Sequence, residues 1–330
     1  MRKVPLTLAV CDYDRTKALF SGRTPIEGCD VVPLAINAEE CFHRAFKFQE
    51  FDITELSLSS HMATVSRGEN AYVGIPAFVS RVFRHSGIYI RTDRGITKPE
   101  DLRGRTIGVP EYQITANVWI RGMLKDDYGI QPEEIHWRRG GIEEPGRGER
   151  SPIKLPAAID LQQVPDDRTL SGMLEGGELD AMISARAPSC FDRRVPHVGR
   201  LFPDFMTVEQ NYFRRTGLFP IMHLIGIRKT LVERYPWLPV SVYNAFLAAK
   251  HIAVRELNEV AQLMVNLPWV VEHYNETRRV MGEDFWPYGF RENLTNLEAF
   301  SRYHHEQCLS ARKVAPEELF APSTFDLSKT

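Results

Sequence analysis

Short apolar runs, broken by turn residues and by stretches of helical period, pattern this chain from end to end. Residues 4–10 form a compact apolar run that predicts a buried strand. Residues 30–36, entered through Gly28, predict a second strand. Residues 39–48 place Cys41, Phe42, Ala45, Phe46 and Phe48 at helical spacing. Residues 53–58 alternate apolar and polar and predict a strand that ends at Ser59-Ser60-His61; residues 77–83 and 87–91 predict two more. Strand and helix patterns that alternate in this way predict an α/β protein with mostly parallel sheet.

A second α/β series starts near residue 92. Residues 106–109 predict a strand closed by Pro110. Thr115 is an expected N-cap for a helix running to about residue 128 and stopped by Gly129. Strands are expected at 135–137 and 179–184, with a helix over 168–174 between them. The Gly-, Pro- and charge-rich stretch 138–157 predicts an exposed arm. Residues 220–228 predict an apolar strand that returns the chain to its first part. Helices are expected over 243–254, 263–274 and 297–309. The layout is a discontinuous two-lobed α/β fold. One lobe is 1–90 plus 215–330 with C-terminal helices, and the other is 91–214. A hinged inter-lobe cleft is the expected ligand site.

Composition narrows the function classes. At 330 residues the chain exceeds what one core usually holds. It is 43% hydrophobic and 25% charged, with a formal net charge of −2, so no overall charge directs it to nucleic acid or an anionic membrane. No run reaches the roughly 20 apolar residues of a membrane span. The N-terminal run after Met1-Arg2-Lys3 is short, contains Pro5 and meets Cys11 through Val10, so it reads as a core strand and not an export signal. The five widely spaced cysteines, with no CxxC, suit free thiols in a reducing compartment. A cytoplasmic protein is expected.

In open α/β sheets, ligands meet the carboxyl ends of strands and the helix starts that follow. That rule selects Asp12, Tyr13, Asp14 and Arg15 after the first strand and Ser59, Ser60 and His61 after the third. It also selects Tyr112, Gln113 and Thr115 at a strand-to-helix junction suited to an anion, and Arg186 after 179–184. Arg81, Arg84 and His85 cluster near the end of one strand, and a guanidinium suits a carboxylate because its planar fork donates two parallel hydrogen bonds. His223 interrupts an apolar strand. Taken alone it is more often a satisfied core histidine, but facing a cleft it would be a proton donor near neutral pH. Plainer readings stand beside the others: a helix cap at 59–61 and a salt-bridged strand at 81–85. No nucleophile elbow or glycine-rich phosphate loop is present.

Several segments together resemble the 4,5-dihydroxyphthalate decarboxylases. They include Arg84-His85-Ser86-Gly87-Ile88-Tyr89, Asp101-Leu102-Arg103-Gly104, Trp119-Ile120-Arg121-Gly122-Met123-Leu124 and Gly177-Glu178-Leu179-Asp180-Ala181. Phe219-Pro220-Ile221-Met222-His223 and Trp286-Pro287-Tyr288-Gly289 are the more specific pieces; Cys308 stands where a small residue such as glycine is expected. The resemblance implies a periplasmic-binding-protein type II-like fold used as a decarboxylase of an aromatic dicarboxylate. Direct loss of CO2 would leave an aryl carbanion, so such an enzyme protonates the ring carbon first. That needs an anion clamp and a proton donor. Arg81, Arg84, Arg186 and the Thr115 helix start are the expected clamp, His223 the donor, and His61 or His85 the partner of the phenol. No cofactor is expected. A catechol can chelate a divalent ion, but no ligand-spacing motif is present. The expected partner is a small aromatic diacid, and a homo-oligomer using the 138–157 arm is an open expectation. The main alternative is a non-catalytic binding protein for a small anion, since most proteins of this architecture only bind. A pyrimidine-precursor synthase of the same fold would need a cysteine-rich stretch that is missing here.

Overall fold

In the computed structural model, which describes residues 3–149 and 153–327, the strand and helix patterns resolve into two α/β units. In chain order the first elements are β1 (Val4–Val10), α1 (Lys17–Phe20), β2 (Cys29–Ala35), α2 (Ala38–Phe48), β3 (Ile53–Ser57), α3 (Leu58–Arg67) and β4 (Tyr72–Arg81). Next come β5 (Ile88–Arg91), β6 (Thr106–Val109), α4 (Thr115–Tyr128), β7 (His136–Arg139), β8 (Leu161–Gln163), α5 (Leu170–Gly176), β9 (Ala181–Ile183), α6 (Ser189–Asp192), β10 (Val198–Arg200) and α7 (Phe205–Thr216). The chain ends with β11 (Ile221–Arg228), α8 (Lys229–Arg234), α9 (Leu238–Leu257), α10 (Val270–Met281) and α11 (Leu294–Glu306).

The first unit takes the chain up to Arg81, Phe213–Glu298 and the residues from Val314 on. Its sheet has the order β2-β1-β3-β11-β4. β1 pairs in parallel with β2 and β3, whereas β11 runs antiparallel between β3 and β4. The return strand therefore fills the gap between two strands laid down early. Ala9, Cys41 and Phe51 form a small core beneath α2. Asn37 caps α2 by accepting from the Glu39 backbone N–H at 3.0 Å. Ser57, not the Ser59-Ser60 pair, caps α3.

The second unit is Val82–Tyr212 with Ala299–Lys313. Its sheet has the order β10-β5-β9-β6-β7-β8 and is also mixed, with antiparallel pairs at β10/β5 and β5/β9. Both sheets are thus less parallel than the alternation suggested. Residues 82–90 group with this second unit, because β5 pairs with β9 and β10. Residues 299–313 do too, because Trp119 of α4 packs on Phe300 and Tyr303 of α11. Gly122 permits that approach: a Cβ there would lie 2.4 Å from the Tyr303 ring.

The expected helix over 263–274 is displaced to Val270–Met281, since Pro268 bars helical backbone just before it. Of the expected 138–157 arm, 140–149 and 153–157 carry no helix or strand, and 150–152 lie outside the described residues. Among the described residues, no helix is long and apolar enough to cross a membrane. All five cysteines are free.

Candidate active site

The centre of the first unit holds a buried acid and a histidine on neighbouring strands. Glu55 lies in β3, whose five residues are all buried, and has no exposed surface. On β11, Ile225 lies opposite Glu55 and His223 opposite Ser57. His223 is therefore the diagonal neighbour of Glu55 on the same sheet face. Glu55 Oε1 accepts from His223 Nδ1–H at 2.6 Å. Register irregularities on either side of His223 in the β11/β4 ladder mark a local bulge, a device that re-aims a side chain. The edge of Phe42 packs on the imidazole at 4.7 Å between ring centres. With Nδ1 committed to Glu55, Nε2 makes no hydrogen bond among the described residues, and the side chain keeps 19% exposure.

The loop after β1 completes the acid's coordination. β1 pairs with β3 up to Ala9–Thr54, so the next turn of chain arrives beside Glu55. Cys11 N–H donates to Glu55 Oε2 at 3.0 Å, and the Tyr13 hydroxyl donates to Oε1 at 2.8 Å. Burial by itself would raise the proton affinity of Glu55. The hydrogen bond and charge of His223, with Cys11 N–H and Tyr13, instead hold it below the usual carboxylate range. The same surroundings, burial first and then the Glu55 charge, push the Tyr13 phenol and the Cys11 thiol up. Both stay protonated at neutral pH.

Arg15 stands on the far face of Tyr13. Its guanidinium lies 4.2 Å from the centre of the Tyr13 ring and 4.4 Å from that of Trp286. Nε donates to the Val79 carbonyl at 2.5 Å and Nη1 to Asp14 Oδ1 at 2.9 Å, which leaves Nη2 with no protein acceptor among the described residues. Trp286 is itself fixed by an Nε1–H bond to the Phe78 carbonyl at 2.9 Å. The Trp286-Pro287-Tyr288-Gly289 turn is pinned by Gly289 N–H on the Pro76 carbonyl at 2.9 Å, with Gly289 at φ +104°. The arrangement pairs a fixed guanidinium with a histidine whose outer nitrogen is uncommitted.

Other candidates of the first unit serve its framework. Arg81 is buried, and its donors are spent on the Phe219 carbonyl at 3.3 and 2.9 Å, the Pro287 carbonyl at 3.0 Å and Asn293 Oδ1 at 2.7 Å. It knits β4 to the C-terminal turns and is corrected from clamp to scaffold. Burial lowers its proton affinity to about 9. Ser59 and Ser60 lie in the first turn of α3. His61 is buried in the same helix; the Leu319 carbonyl accepts from its Nε2–H at 2.9 Å, and Nδ1 finds no partner among the described residues. Burial pulls His61 down to about 4. It is a core histidine, the commoner meaning of an imidazole on an apolar face.

The remaining candidates lie in the second unit. His85 is buried between Phe202 and Tyr212, with Nδ1 3.8 Å from Glu209. Burial pushes Glu209 up to about 7 and Arg84 down to about 10. Arg186 is exposed. The junction at Tyr112-Gln113-Ile114-Thr115 does bind an anion, but the chain supplies it. The Glu149 carboxylate accepts from Tyr112 N–H, and burial pushes it up to about 7. The cap position belongs to Ile114, not Thr115, which is the first helical residue. The guanidinium of Arg121, also buried, stacks 3.7 Å above the Tyr112 ring.

Glu55 is the functional residue that the sequence pattern does not single out, and Tyr13, selected after the first strand, is joined to His223 only through it. Ile53-Thr54-Glu55-Leu56-Ser57 reads as alternating, which assigns Thr54 and Glu55 no special burial; in fact both faces of β3 are covered. The one available signal was an acid within one strand pattern and a histidine within another, with nothing to show that the two strands lie side by side. Among the described residues, no three His, Cys, Asp or Glu side chains are placed to hold a metal ion together.

Comparison with known proteins adds a second, independent line. No protein-family model matches the chain. It is 45% identical to a 4,5-dihydroxyphthalate decarboxylase of Comamonas testosteroni over 329 residues, covering 100% of both chains. It is 46% identical to a 4,5-dihydroxyphthalate decarboxylase of Pseudomonas putida over 214 residues, covering 65% of this chain and 83% of the relative. Among solved structures, the periplasmic aliphatic sulphonate binding protein SsuA of Escherichia coli aligns over 97% of this chain and 98% of its own, with a TM-score of 0.54 at 13% identity. That likeness fixes the fold as two-lobed and periplasmic-binding-protein-like.

Proposed function

Because the chain belongs to the 4,5-dihydroxyphthalate decarboxylase family, we propose that it converts 4,5-dihydroxyphthalate to 3,4-dihydroxybenzoate and CO2, with His223 as the proton donor. The observation that carries this reading is the 2.6 Å bond between His223 Nδ1 and the fully buried Glu55. An anionic Glu55 holds the Nδ1 proton in place, so the proton available for transfer from the imidazolium is the one on Nε2. The substrate carries a hydroxyl para to the departing carboxylate. Once it has lost its proton to solvent, which returns it after CO2 leaves, that hydroxyl feeds electron density to the carboxylate-bearing carbon. Nε2–H protonates this carbon, the C–CO2 bond breaks, and its electron pair restores the aromatic ring. His223 is left neutral and takes its next proton from solvent.

Arg15 is the anion anchor in this reading. Its Nη2 edge is uncommitted, and its two aromatic neighbours hold the guanidinium rigid, so little motion is lost when a carboxylate binds. A non-catalytic binding protein would need the same anchor but no acid–base pair beside it. Incubation of the purified protein with 4,5-dihydroxyphthalate, followed by chromatography of the products and CO2 capture, separates the two. Stoichiometric 3,4-dihydroxybenzoate and CO2 are expected; saturable binding without either product would contradict the reading.

A further inference from the structure

Tyr13 touches both halves of this site with different parts of one side chain. Its ring supports the Arg15 guanidinium at 4.2 Å, and its hydroxyl donates to the same Glu55 oxygen that accepts from His223 Nδ1, at 2.8 and 2.6 Å. We propose that Tyr13 is the positioning residue that couples the carboxylate anchor to the proton donor: the ring sets the anchor, and the hydroxyl tunes the acid strength of His223 through Glu55. This rests on the decarboxylase reading above and adds to it a residue that acts through Glu55 and Arg15.

Glu55 divides its charge among its donors. Glu55 Oε1 has two donors, Tyr13 and His223, and Oε2 has Cys11 N–H. Negative charge drawn toward the phenol hydroxyl is charge withheld from the imidazolium, which makes Nε2–H the stronger acid. The groups around Glu55 come from every neighbouring element. His223 lies on β11, Cys11, Tyr13, Asp14 and Arg15 lie after β1, Cys41 lies on α2, and Tyr288 lies in the 286–289 turn. Arg15 and His223 are the basic groups of this set, and Tyr13 is the side chain that contacts both Arg15 and Glu55.

Two substitutions separate the ring from the hydroxyl. Tyr13→Phe keeps the ring, so KM is expected to stay within about twofold. The alkaline limb of the pH profile of kcat/KM moves up by about one unit, as one hydrogen bond to a charge is worth, and kcat falls about tenfold. Tyr13→Leu removes both functions and adds a rise in KM of about fivefold, the scale of one lost guanidinium–ring contact. An NMR titration of the His223 imidazole in each substrate-free variant gives a readout independent of turnover, with the same upward shift expected in both. An unmoved limb and unmoved titration in Tyr13→Phe would overturn the coupling, as would equal KM values in Tyr13→Phe and Tyr13→Leu. If His223→Asn is inert while Tyr13→Phe behaves as wild type, only the role of Tyr13 is lost. A fully active His223→Asn removes the underlying reading instead.

Discussion

A carboxylate with no exposed surface is tolerable at Glu55 because three donors converge on it: His223 Nδ1–H, Tyr13 O–H and Cys11 N–H. Unpaired burial of such a charge costs several kcal/mol. The amide of Glu55→Gln would turn its NH2 toward Cys11 N–H or toward the two donors on Oε1. It is expected to lower kcat by about 10²–10³, the lower part of the range of general acid catalysis, with a much smaller change in KM; steady-state kinetics checks this. His61 shows the opposite case, an imidazole that is buried and neutral. Burial draws it from 6.5 down to about 4, so the unfolded chain binds its proton at higher pH than the folded one does. Its contribution is complete above pH 6.5, is lost as pH falls from there toward 4, and amounts to about 3 kcal/mol across that window. His61→Gln keeps a donor for the Leu319 carbonyl but does not titrate. Urea unfolding at pH 4.5 and 7 is expected to show a smaller stability difference in the variant than in the wild type; an identical difference would count against this account of His61.

At the scale of elements, the order of β11 between β3 and β4 makes the site. The apolar run with a histidine in it was legible in the sequence, because buried strands announce themselves by composition. Its neighbours were not, because strand order depends on contacts far apart in sequence. The bond between Glu55 and His223 spans 168 positions. The same limit explains the Tyr112 junction, where helix-start chemistry predicted an anion but could not foresee that Glu149, beyond the next strand, supplies it. Local backbone rules did carry through: Cys308, where glycine is expected, adopts φ +59°, in the left-handed region that favours glycine. Close packing of α4 on α11 yields a direct test. Gly122→Ala gains helix propensity of about 1 kcal/mol but drives a methyl into the Tyr303 ring. A net loss of about 1–3 kcal/mol is expected from overpacking, read as a lower midpoint in urea.

For the whole molecule, the two-unit α/β plan was legible because repeated strand–helix patterns and a late return strand leave few alternative topologies. The boundaries were harder, since residues 82–90 and 299–313 join the second unit through a strand ladder and an aromatic contact rather than through any break in pattern. Of the arginines expected to clamp the substrate, Arg81 has its donors spent on carbonyls and an amide, while Arg15, selected only by its place after the first strand, holds the uncommitted edge. Spacing cannot tell these apart, because the difference lies in which carbonyls surround each guanidinium. The central claim is that the imidazole on the return strand delivers the proton. Its most direct test is a single-turnover measurement with His223→Asn, in which substrate affinity is measured by titration and product is followed in the same samples. Affinity within a few-fold of wild type and turnover lower by at least about 10² is the expected result. Turnover close to wild type would contradict it.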